Sequence, residues 1–324
     1  MLEEVCAEFE LGGIVEFSPV PEGLMNRNWR VVTQAGEFAV KQLLDVDAGR
    51  AREQHAVVRS LAARGLPVAS ARHGGDGQTV LTRGTATFTV QPWAPGRHRS
   101  GAQLDLAECR RLGEVLGDLH GALAELSTPV GPSSAHPVRP AEEARTLLAG
   151  YADLIASLHR PDDFDVVALA HLRWRLRILD ESGHLCPDGA EPELGWTHGD
   201  FHHFNVLWDG SEISAVLDWD RLGLRPVADE LARAAVLIFG DGPALDLPRI
   251  TAFVAGYRSM RPLTGEQVAD ALHRLWWHWL AGDWPLNTRY HHADTSCDHL
   301  FLVNSARLQW WTPRREQVLA AFTA

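Results

Sequence analysis

The chain has 324 residues, more than one hydrophobic core usually organises, so we expect two domains or one large two-lobed domain. Hydrophobic residues make up 45% and charged residues 22%, which is ordinary for a globular protein and excludes collagen, coiled coil and general disorder. Acidic residues outnumber basic ones by 42 to 30, and the formal charge of -12 disfavours nonspecific binding to nucleic acid.

The cysteines and the first residues bear on the compartment. Cys6, Cys109, Cys186 and Cys297 form no CxxC pair, which indicates a reduced, cytoplasmic protein. The opening residues, MLEEVCAEFE, are acidic and lack the basic segment and apolar core of a secretion signal. No stretch approaches the roughly 18 apolar residues of a transmembrane helix, so no membrane partner is expected.

The first third of the chain predicts strands around one helix. Residues 29–33 and 37–43 are β-prone runs on either side of a Gln-Ala-Gly turn, which indicates a hairpin. A helix follows, with Asp47 as its cap and with Gly65 and Pro67 at its end. Two more strands are predicted over 79–83 and 86–91.

A linker separates this part from a helical remainder. Residues 91–97 read QPWAPGR, and two prolines with a glycine interrupt any regular element. Beyond them, Leu112, Leu116, Leu119 and Leu123 form a helical stripe, and helices are expected over 141–158 and 163–180. A proline- and serine-rich loop is expected over 128–140, a short β-unit over 194–219, and a helix opened by a capping box of Thr264 with Gln267.

The predicted architecture is therefore α+β. Residues 1–93 would form a small β-rich lobe, and residues 94–324 a larger helical lobe that carries a short hairpin.

The densest chemical signal is residues 198–205, HGDFHHFN, followed by a β-prone run that ends at Asp218. The Asp209-Gly210 pair indicates a tight turn that folds the chain back and places Asp218 opposite about residues 201–203. Asp200, Asn205 and Asp218 would then lie together. Two carboxylates need a compensating cation, and hard oxygen ligands of this kind suit Mg²⁺.

This constellation resembles the aminoglycoside phosphotransferase family, relatives of protein kinases that phosphorylate small molecules. The family signature HGDxHxxN, followed by a strand that ends in a metal-binding acid, matches residues 198–205 and Asp218. The resemblance runs in order from about residue 12 to 240. It implies a protein-kinase-like fold of two lobes and transfer of a phosphoryl group from ATP or GTP to the hydroxyl of a small acceptor.

The resemblance also implies roles for the residues of the motif. Asp200 would accept the proton of the attacking hydroxyl or orient it, and His198 and His202 would support the loop. Asn205 and Asp218 would hold Mg²⁺. Asp220 departs from the simplest family pattern, and it is expected either to touch the metal or to stand behind it.

The first lobe would bind the nucleotide. Lys41 lies in a strand, where a buried lysine is costly unless a phosphate compensates it; the resemblance makes it the phosphate-binding lysine and Glu53, on the next helix, its partner. Residues 22–29 look like a phosphate-covering turn, and main-chain groups of the linker would bind the base. The nucleotide-binding residues predicted in this way are Lys41, Glu53, Gly23, Asn26, Gln91 and Trp93.

The acceptor is expected over the helical lobe, beside Asp200, because attack on the γ-phosphate comes from the side opposite the nucleotide. The last eighty residues offer aromatic faces together with acids, and the candidate acceptor-binding residues are Asp283, Trp284, Tyr290 and Asp294. Asp229, after the metal-binding acid, would hold the catalytic loop.

Several functions stay open at this point. An antibiotic acceptor, an aminoglycoside or a nucleoside antibiotic, with resistance as the outcome, is the first hypothesis, and a metabolic kinase of homoserine, choline or a sugar is the second. A metallohydrolase built on His198, His202, His203 and Asp218 belongs to another class, and a kinase-like binding protein without activity to a third. The sequence leaves the nucleotide, the acceptor and the oligomeric state undecided.

Overall fold

The computed structural model describes residues 1–21, 26–126, 138–187, 192 and 194–324. The helices are α1 (Leu2–Glu8), α2 (Ala48–Ala63), α3 (Leu106–Ala124), α4 (Ala141–Ala156), α5 (Asp163–Ser182), α6 (Val227–Ile238), α7 (Leu247–Met260), α8 (Gly265–Ala281), α9 (Trp284–His292), α10 (Asp298–Trp311) and α11 (Arg315–Thr323). The strands are β1 (Ile14–Val20), β2 (Arg27–Thr33), β3 (Gly36–Leu43), β4 (Leu81–Arg83), β5 (Ala86–Pro92), β6 (Leu194–Thr197), β7 (Val206–Asp209), β8 (Glu212–Val216), β9 (Gly223–Pro226), β10 (Gly240–Asp241) and β11 (Ala244–Leu245).

The first lobe is a five-stranded antiparallel sheet in the order β1-β2-β3-β5-β4. The predicted hairpin is present, with Thr33 opposite Gly36 at its turn. The helix α1 packs on the sheet through Val5 and Phe9, which meet Val31. Neither α1 nor β1 was predicted. For β1 the reason is that the strand is exposed on both faces and shows no alternation of apolar residues.

The helix α2 crosses from β3 to β4 and begins as predicted. The Asp47 carboxylate accepts hydrogen bonds from the amides of Gly49 and Arg50, which satisfies two of the free amides of the first turn. The helix ends at Arg64, and Gly65 takes the left-handed conformation with a φ of 79°.

The linker is held at both ends by hydrogen bonds. The Trp93 amide donates to the Glu37 carbonyl at 2.9 Å and so continues the sheet. Arg97 and Trp208 exchange two main-chain bonds of 2.9 Å each, which tie the other end to β7 in the second lobe. This double attachment fixes where the sheet stands relative to the loop that precedes β7.

The second lobe is built around the crossing of α3 and α7. The predicted stripe of α3 is buried, as seen for Leu112 and Leu116. The two helices approach so closely that a Cβ on Gly113 would overlap the Phe253 carbonyl oxygen, and a Cβ on Gly256 would overlap the Arg110 carbonyl oxygen. Both positions therefore exclude any larger side chain.

The described part of the helical lobe carries three short antiparallel ribbons. They are β7–β8, β10–β11 and β6–β9, and the sequence did not predict β6–β9 as a pair. The β7–β8 turn is Gly210-Ser211, since Asp209 pairs with Glu212, and the register shifts again between Leu207 and Trp208. The ladder ends with Val206 opposite Val216, so its register differs by at least one residue from the one that would place Asp218 opposite 201–203, and Asp218 itself lies beyond the ladder.

The four cysteines are free. Within the described ranges, no helix is long and apolar enough to cross a membrane. Of the predicted loop 128–140, only residues 138–140 are described.

Candidate active site

The segment HGDFHHFN connects β6 to β7 and bends sharply at its start. Gly199 has a φ of 86°, in the left-handed region that favours glycine. A Cβ at this position would also overlap the Arg221 carbonyl oxygen. Both the backbone conformation and the close approach therefore require the glycine of the motif.

Glu230 on α6 holds this bend from below. Its carboxylate accepts hydrogen bonds from the amides of His198, at 2.9 Å, and of Gly199. His120 on α3 lies 2.7 Å from the same carboxylate through Nε2, and its Nδ1 lies 2.9 Å from the Tyr257 hydroxyl on α7. Burial alone would raise the pKa of Glu230, but the bond and charge of His120, the charge of His198 and the Gly199 amide together outweigh it and lower this pKa. The bend at Gly199 is thus held by an ionised, fully hydrogen-bonded acid.

The prediction that Asp229 holds the loop was wrong by one residue. Asp229 pairs with Arg274 on α8 at 2.6 Å, on the other side of α6. The buried face of α6 includes Val227, Glu230 and Ala234, which follow the helical spacing of three to four residues. An acid on that apolar face needs hydrogen bonds, and this pattern was the signal that could have identified Glu230.

His198 is buried and works as a neutral spacer. Its Nε2 lies 2.8 Å from the Leu217 carbonyl oxygen, and its Nδ1 accepts a bond of 3.2 Å from the Asp200 amide. Burial lowers the pKa of His198, which favours the neutral ring that these two bonds require. The ring also packs on Trp219 with a centroid distance of 4.5 Å. It therefore fixes the spacing between the loop and the end of β8.

Asp200 carries its charge between two nitrogen donors. Its Oδ1 accepts a bond of 2.8 Å from Arg233 on α6, and its Oδ2 lies 3.4 Å from Nε2 of His202. His202 in turn accepts the Phe204 amide through Nδ1, and its Nε2 also lies 3.2 Å from the Asn205 amide nitrogen. Burial opposes ionisation, but His202 and Arg233 outweigh it and hold the pKa of Asp200 well below the usual range.

Asn205 lies at the end of the same loop, buried at 8% exposure. Its amide nitrogen donates a bond of 2.8 Å to the Asp200 carbonyl oxygen. The Asn205 carbonyl accepts the Leu217 amide at 2.8 Å, which brings the residue before Asp218 alongside. The amide oxygen is the end of this side chain that a cation would take.

Lys41 on β3 joins the two lobes. Its ammonium lies 2.8 Å from Asp218 and 3.1 Å from Asp220. Lys41 is mostly buried, and Asp218 takes the left-handed conformation with a φ of 59°, which is uncommon for an aspartate. Lys41, predicted to bind phosphates, and Asp218, predicted to hold the metal, therefore meet in a direct ion pair that the sequence did not predict.

The charges of this group do not balance. Burial disfavours the ammonium of Lys41, yet Asp218 and Asp220 outweigh it and raise its pKa. Burial also opposes ionisation of Asp218, but Lys41 lowers the pKa of that carboxyl, whereas burial and the charge of Asp218 raise the pKa of Asp220 despite Lys41. Two acids on one ammonium leave an excess negative charge, the situation that a divalent cation relieves.

Asp220 is held by neighbours from the first lobe. The Asn26 amide nitrogen donates to its carboxylate at 2.7 Å, while the Asn26 oxygen accepts the Leu44 amide at 3.1 Å. Gln54 on α2 donates to the Asp220 carbonyl oxygen at 2.8 Å. Asn26 is thus bound to Asp220, and Gly23, the other predicted residue of the phosphate-covering turn, lies outside the described residues.

The prediction that Glu53 pairs with Lys41 was wrong. Glu53 is 59% exposed, and its carboxylate lies 3.9 Å from Arg50 on its own helix. The buried face of α2 contains Gln54 and Val58, and one residue along a helix turns a side chain by about 100°. The neighbouring Gln54 therefore occupies the inward position that was assigned to Glu53.

Two residues of the linker, Gln91 and Trp93, were predicted to bind the nucleotide, and the structure shows what each contacts. Gln91 lines a small cavity of about 10 Å³ together with Lys41. The Trp93 amide is already bonded to Glu37, so it cannot also bind a base, and the half-exposed Trp93 ring lies 5.5 Å from the Arg30 guanidinium. Any main-chain recognition of a base must use other groups of this linker.

Two predicted acceptor residues are engaged inside the second lobe. Asp283 pairs with Arg139 at 3.0 Å and accepts a bond of 3.3 Å from the Tyr151 hydroxyl. The Tyr290 hydroxyl donates to the buried Asp165 at 2.6 Å. These contacts give both side chains a structural partner, which the sequence did not reveal.

The other two predicted acceptor residues lie on the surface. Trp284 is 56% exposed at the start of α9. The Asp294 carboxylate accepts the Ser296 amide at 2.9 Å in a local turn. The contacts of Asp200 described above include neither of them, so their role at an acceptor stays a prediction.

The histidines do not gather around a metal. His198 faces a carbonyl, His202 faces Asp200, and His203 stacks on Phe204 at 4.1 Å, where burial lowers its pKa to about 4. Among the described residues, no three His, Cys, Asp or Glu side chains are placed to hold one metal ion. A metallohydrolase would need such a group.

Comparison with known proteins identifies the family. A family model described as the phosphotransferase enzyme family matches residues 16–263. A homoserine kinase of Gluconobacter oxydans (strain 621H) is 27% identical over 276 residues, which cover 83% of this chain and 80% of that protein.

Solved structures share the fold. An aminoglycoside phosphotransferase from Alicyclobacillus acidocaldarius superposes with a TM-score of 0.69 at 16% identity, covering 98% of this chain and 94% of that one. A spectinomycin phosphotransferase gives the same TM-score of 0.69 at 16% identity, with 99% and 96% covered. The predicted protein-kinase-like, two-lobed α+β fold is therefore confirmed. The chain belongs to the phosphotransferase enzyme family and is a small-molecule phosphotransferase.

Proposed function

We propose that the protein transfers the γ-phosphoryl group of ATP or GTP to a hydroxyl of a small metabolite, with Asp200 at the acceptor. The observation that carries the proposal is the ion pair across the cleft, in which Lys41 of the sheet meets Asp218 beside the Asp200 loop. In this proposal residues 1–93 bind the nucleotide, and residues 94–324 supply the catalytic loop and the acceptor site.

Asp200 would receive the acceptor hydroxyl. Its depressed pKa keeps it ionised over the whole working range of pH, so it is always able to accept a hydrogen bond from the hydroxyl. Such a weak base orients the attacking oxygen and takes its proton only as the new bond to phosphorus forms. The bonds from His202 and Arg233 limit the ways in which the carboxylate can turn.

Lys41 would exchange partners when the nucleotide binds. A lysine ammonium is a compact charge with three donors, and the α- and β-phosphates can replace the two carboxylates around it. Asp218 and the amide oxygen of Asn205 are hard oxygen ligands that suit Mg²⁺, and they would hold the ion, which would supply positive charge to offset the negative charge of the phosphates. Asp220, already bound by Asn26, would stay behind these ligands.

The acceptor in this proposal is a metabolite rather than an antibiotic. The relatives that share most of this chain's length are named homoserine kinases. The antibiotic kinases among the solved structures are only 16% identical and speak for the fold alone. The free cysteines agree with a reduced compartment such as the cytoplasm.

The test is a transfer assay with an inactive variant. Protein, Mg²⁺ and ATP or GTP are incubated with L-homoserine, choline, simple sugars and aminoglycosides, and mass spectrometry follows the gain of one phosphoryl group. Asp200→Asn should lower kcat by about 10²- to 10⁴-fold. Calorimetry should show nucleotide binding unchanged, since Asp200 makes no contact with Lys41. A variant that keeps more than half of the wild-type kcat would remove Asp200 from the mechanism.

A further inference from the structure

Four arginines lie together beside Asp200, in a protein whose overall charge is -12. Arg233 donates to the Asp200 carboxylate at 2.8 Å, and Arg225 packs against Gly199, the preceding residue. Burial and the charges of Arg221, Arg233 and Arg50 lower the pKa of Arg225, while Glu230 opposes them. Arg225 therefore lies near the charges of the other three arginines, and it also donates to the Arg221 carbonyl oxygen.

Two of the acids near this cluster pair with its own arginines, and a third is bound elsewhere. Asp200 is needed for the acceptor, Asp45 pairs with Arg221 at 3.0 Å, and Glu230 accepts two main-chain amides and His120. Arg225 donates to the Arg221 carbonyl oxygen rather than to an acid. Within the described residues Arg225 therefore makes no ion pair of its own, although it lies beside the catalytic loop.

Arg50 has a buried guanidinium nitrogen that makes no hydrogen bond within the described residues. The Nη2 atom of Arg50 donates to the Leu222 carbonyl oxygen, but its buried Nη1 atom has no hydrogen-bond partner among the described residues. Glu53 is 3.9 Å from it, too far for a hydrogen bond.

We propose that the acceptor carries a carboxylate and that Arg233, with Arg225 behind it, binds this carboxylate while Asp200 holds the hydroxyl. The proposal rests on the proposed kinase function and adds the chemical class of the acceptor. It assigns Arg233 as a residue that determines specificity.

Distances allow both groups of one small molecule to be bound. A hydroxyl bonded to the free side of Asp200 lies no more than about 8 Å from the Arg233 guanidinium, which is one bond, one carboxylate and another bond away. In a four-carbon hydroxy amino acid the hydroxyl and the carboxylate are separated by about 5 Å. The Arg233 side chain is 42% exposed, so it remains accessible from solvent while it contacts Asp200.

The charge also discriminates between acceptors. Guanidinium groups bind carboxylates with two parallel hydrogen bonds and repel ammonium groups. A polycationic aminoglycoside would bring its ammonium groups beside the arginines, whereas a hydroxy amino acid would bring a matching anion.

The experiment compares two acceptors that differ by the carboxylate. L-Homoserine and 3-amino-1-propanol share the hydroxyl, the amine and the three carbons between them. Wild type should prefer L-homoserine in kcat/KM by about 100-fold, since a charge-assisted pair contributes about 1.5–3 kcal/mol. Arg233→Met should reduce this preference to less than about 5-fold, mainly through the KM of L-homoserine, and Arg233→Lys should restore part of it.

Arg274→Met serves as the matched control. It removes another arginine that pairs with an acid of α6, Asp229, and it should leave the preference between the two acceptors unchanged. Thermal unfolding of each variant checks that the fold is retained.

The other outcomes overturn the proposal at distinct points. If Arg233→Met lowers kcat/KM equally for both acceptors, Arg233 acts on Asp200 or on the transferred phosphoryl group, and the carboxylate site is refuted while the kinase function stands. Phosphorylation of carboxylate-free acceptors alone, such as choline or kanamycin, refutes it likewise. If no acceptor gains a phosphoryl group, the proposed function fails, and the acceptor class fails with it.

Discussion

Lys41 lies between two carboxylates that would otherwise face each other with no cation between them. In the absence of nucleotide, this contact is what lets the two acids approach. Removing the ammonium therefore affects stability as well as nucleotide use.

Lys41→Met should lower kcat/KM for the nucleotide and destabilise the empty protein at pH 8 by about 2 kcal/mol. Without the lysine, the pKa of Asp220, already raised, rises further. A carboxyl whose pKa is raised by folding contributes stability at low pH and loses it as the pH rises. Urea unfolding should therefore show the variant approaching wild type at pH 5, and a loss that is equal at pH 5 and pH 8 would contradict this account.

The Asp200 loop depends on helix α6 for its support. Glu230→Ala should destabilise the fold by about 3 kcal/mol, because two main-chain amides and His120 lose a buried partner. It should also lower kcat strongly, since the bend at Gly199 loses its support. Asp229→Ala on the same helix breaks a half-exposed pair with Arg274 and should cost less than about 1.5 kcal/mol with kcat nearly unchanged. Equal losses in kcat for the two variants would show that Glu230 is not the support of the loop.

The crossing of α3 and α7 offers a second test, with a control on the same helix. Gly113→Ala should destabilise the protein by more than 2 kcal/mol, because the added methyl overlaps the Phe253 carbonyl and forces the helices apart. Gly121→Ala places its methyl where no atom lies within 4 Å and should stabilise the protein by up to about 1 kcal/mol. Opposite signs in urea unfolding are expected, and a neutral Gly113→Ala would mean that the helices separate freely.

Elements and motifs of this fold were predictable where the signal is local. The caps at Asp47 and Thr264, the stripe of α3 and the loop at residues 198–205 are patterns within a few residues of one another, and they were predicted. What failed was the rotation of a helix against its partner. Glu53 was chosen in place of Gln54, and Asp229 in place of Glu230, since tertiary packing decides which of two neighbours points inward.

The arginine cluster was missed for a related reason. Its members lie at residues 50, 221, 225 and 233, and only the fold brings them together. Likewise, the partners of Asp283 and Tyr290 come from other helices, so the last eighty residues looked like a binding surface when two of their polar groups are internal contacts.

Acid should unfold the protein by protonating its buried histidines. Burial, reinforced by Arg175, lowers the pKa of His171 to about 3, well below its ordinary value of 6.5. Between these values the unfolded chain binds a proton that the folded chain does not, so stability falls as the pH drops from 7 to 5. His171 should account for about 2 kcal/mol of the loss at pH 5.

The check is urea unfolding at pH 7 and pH 5 for wild type and His171→Leu. The variant should lose about 2 kcal/mol less between the two values of pH than wild type does. His159→Leu, at an exposed histidine, should keep the wild-type loss. If His171→Leu and His159→Leu show the same loss, His171 does not carry the acid sensitivity.

Lys41 has one more property that follows from the sequence and from its place between the lobes. It is the sole lysine among the 324 residues, which otherwise use arginine for positive charge. Apart from the α-amino group, the protein therefore offers amine-reactive reagents one side chain, and that side chain lies buried between two acids in the cleft. The rate at which an acylating probe labels it would measure how often the cleft opens, without any knowledge of the acceptor.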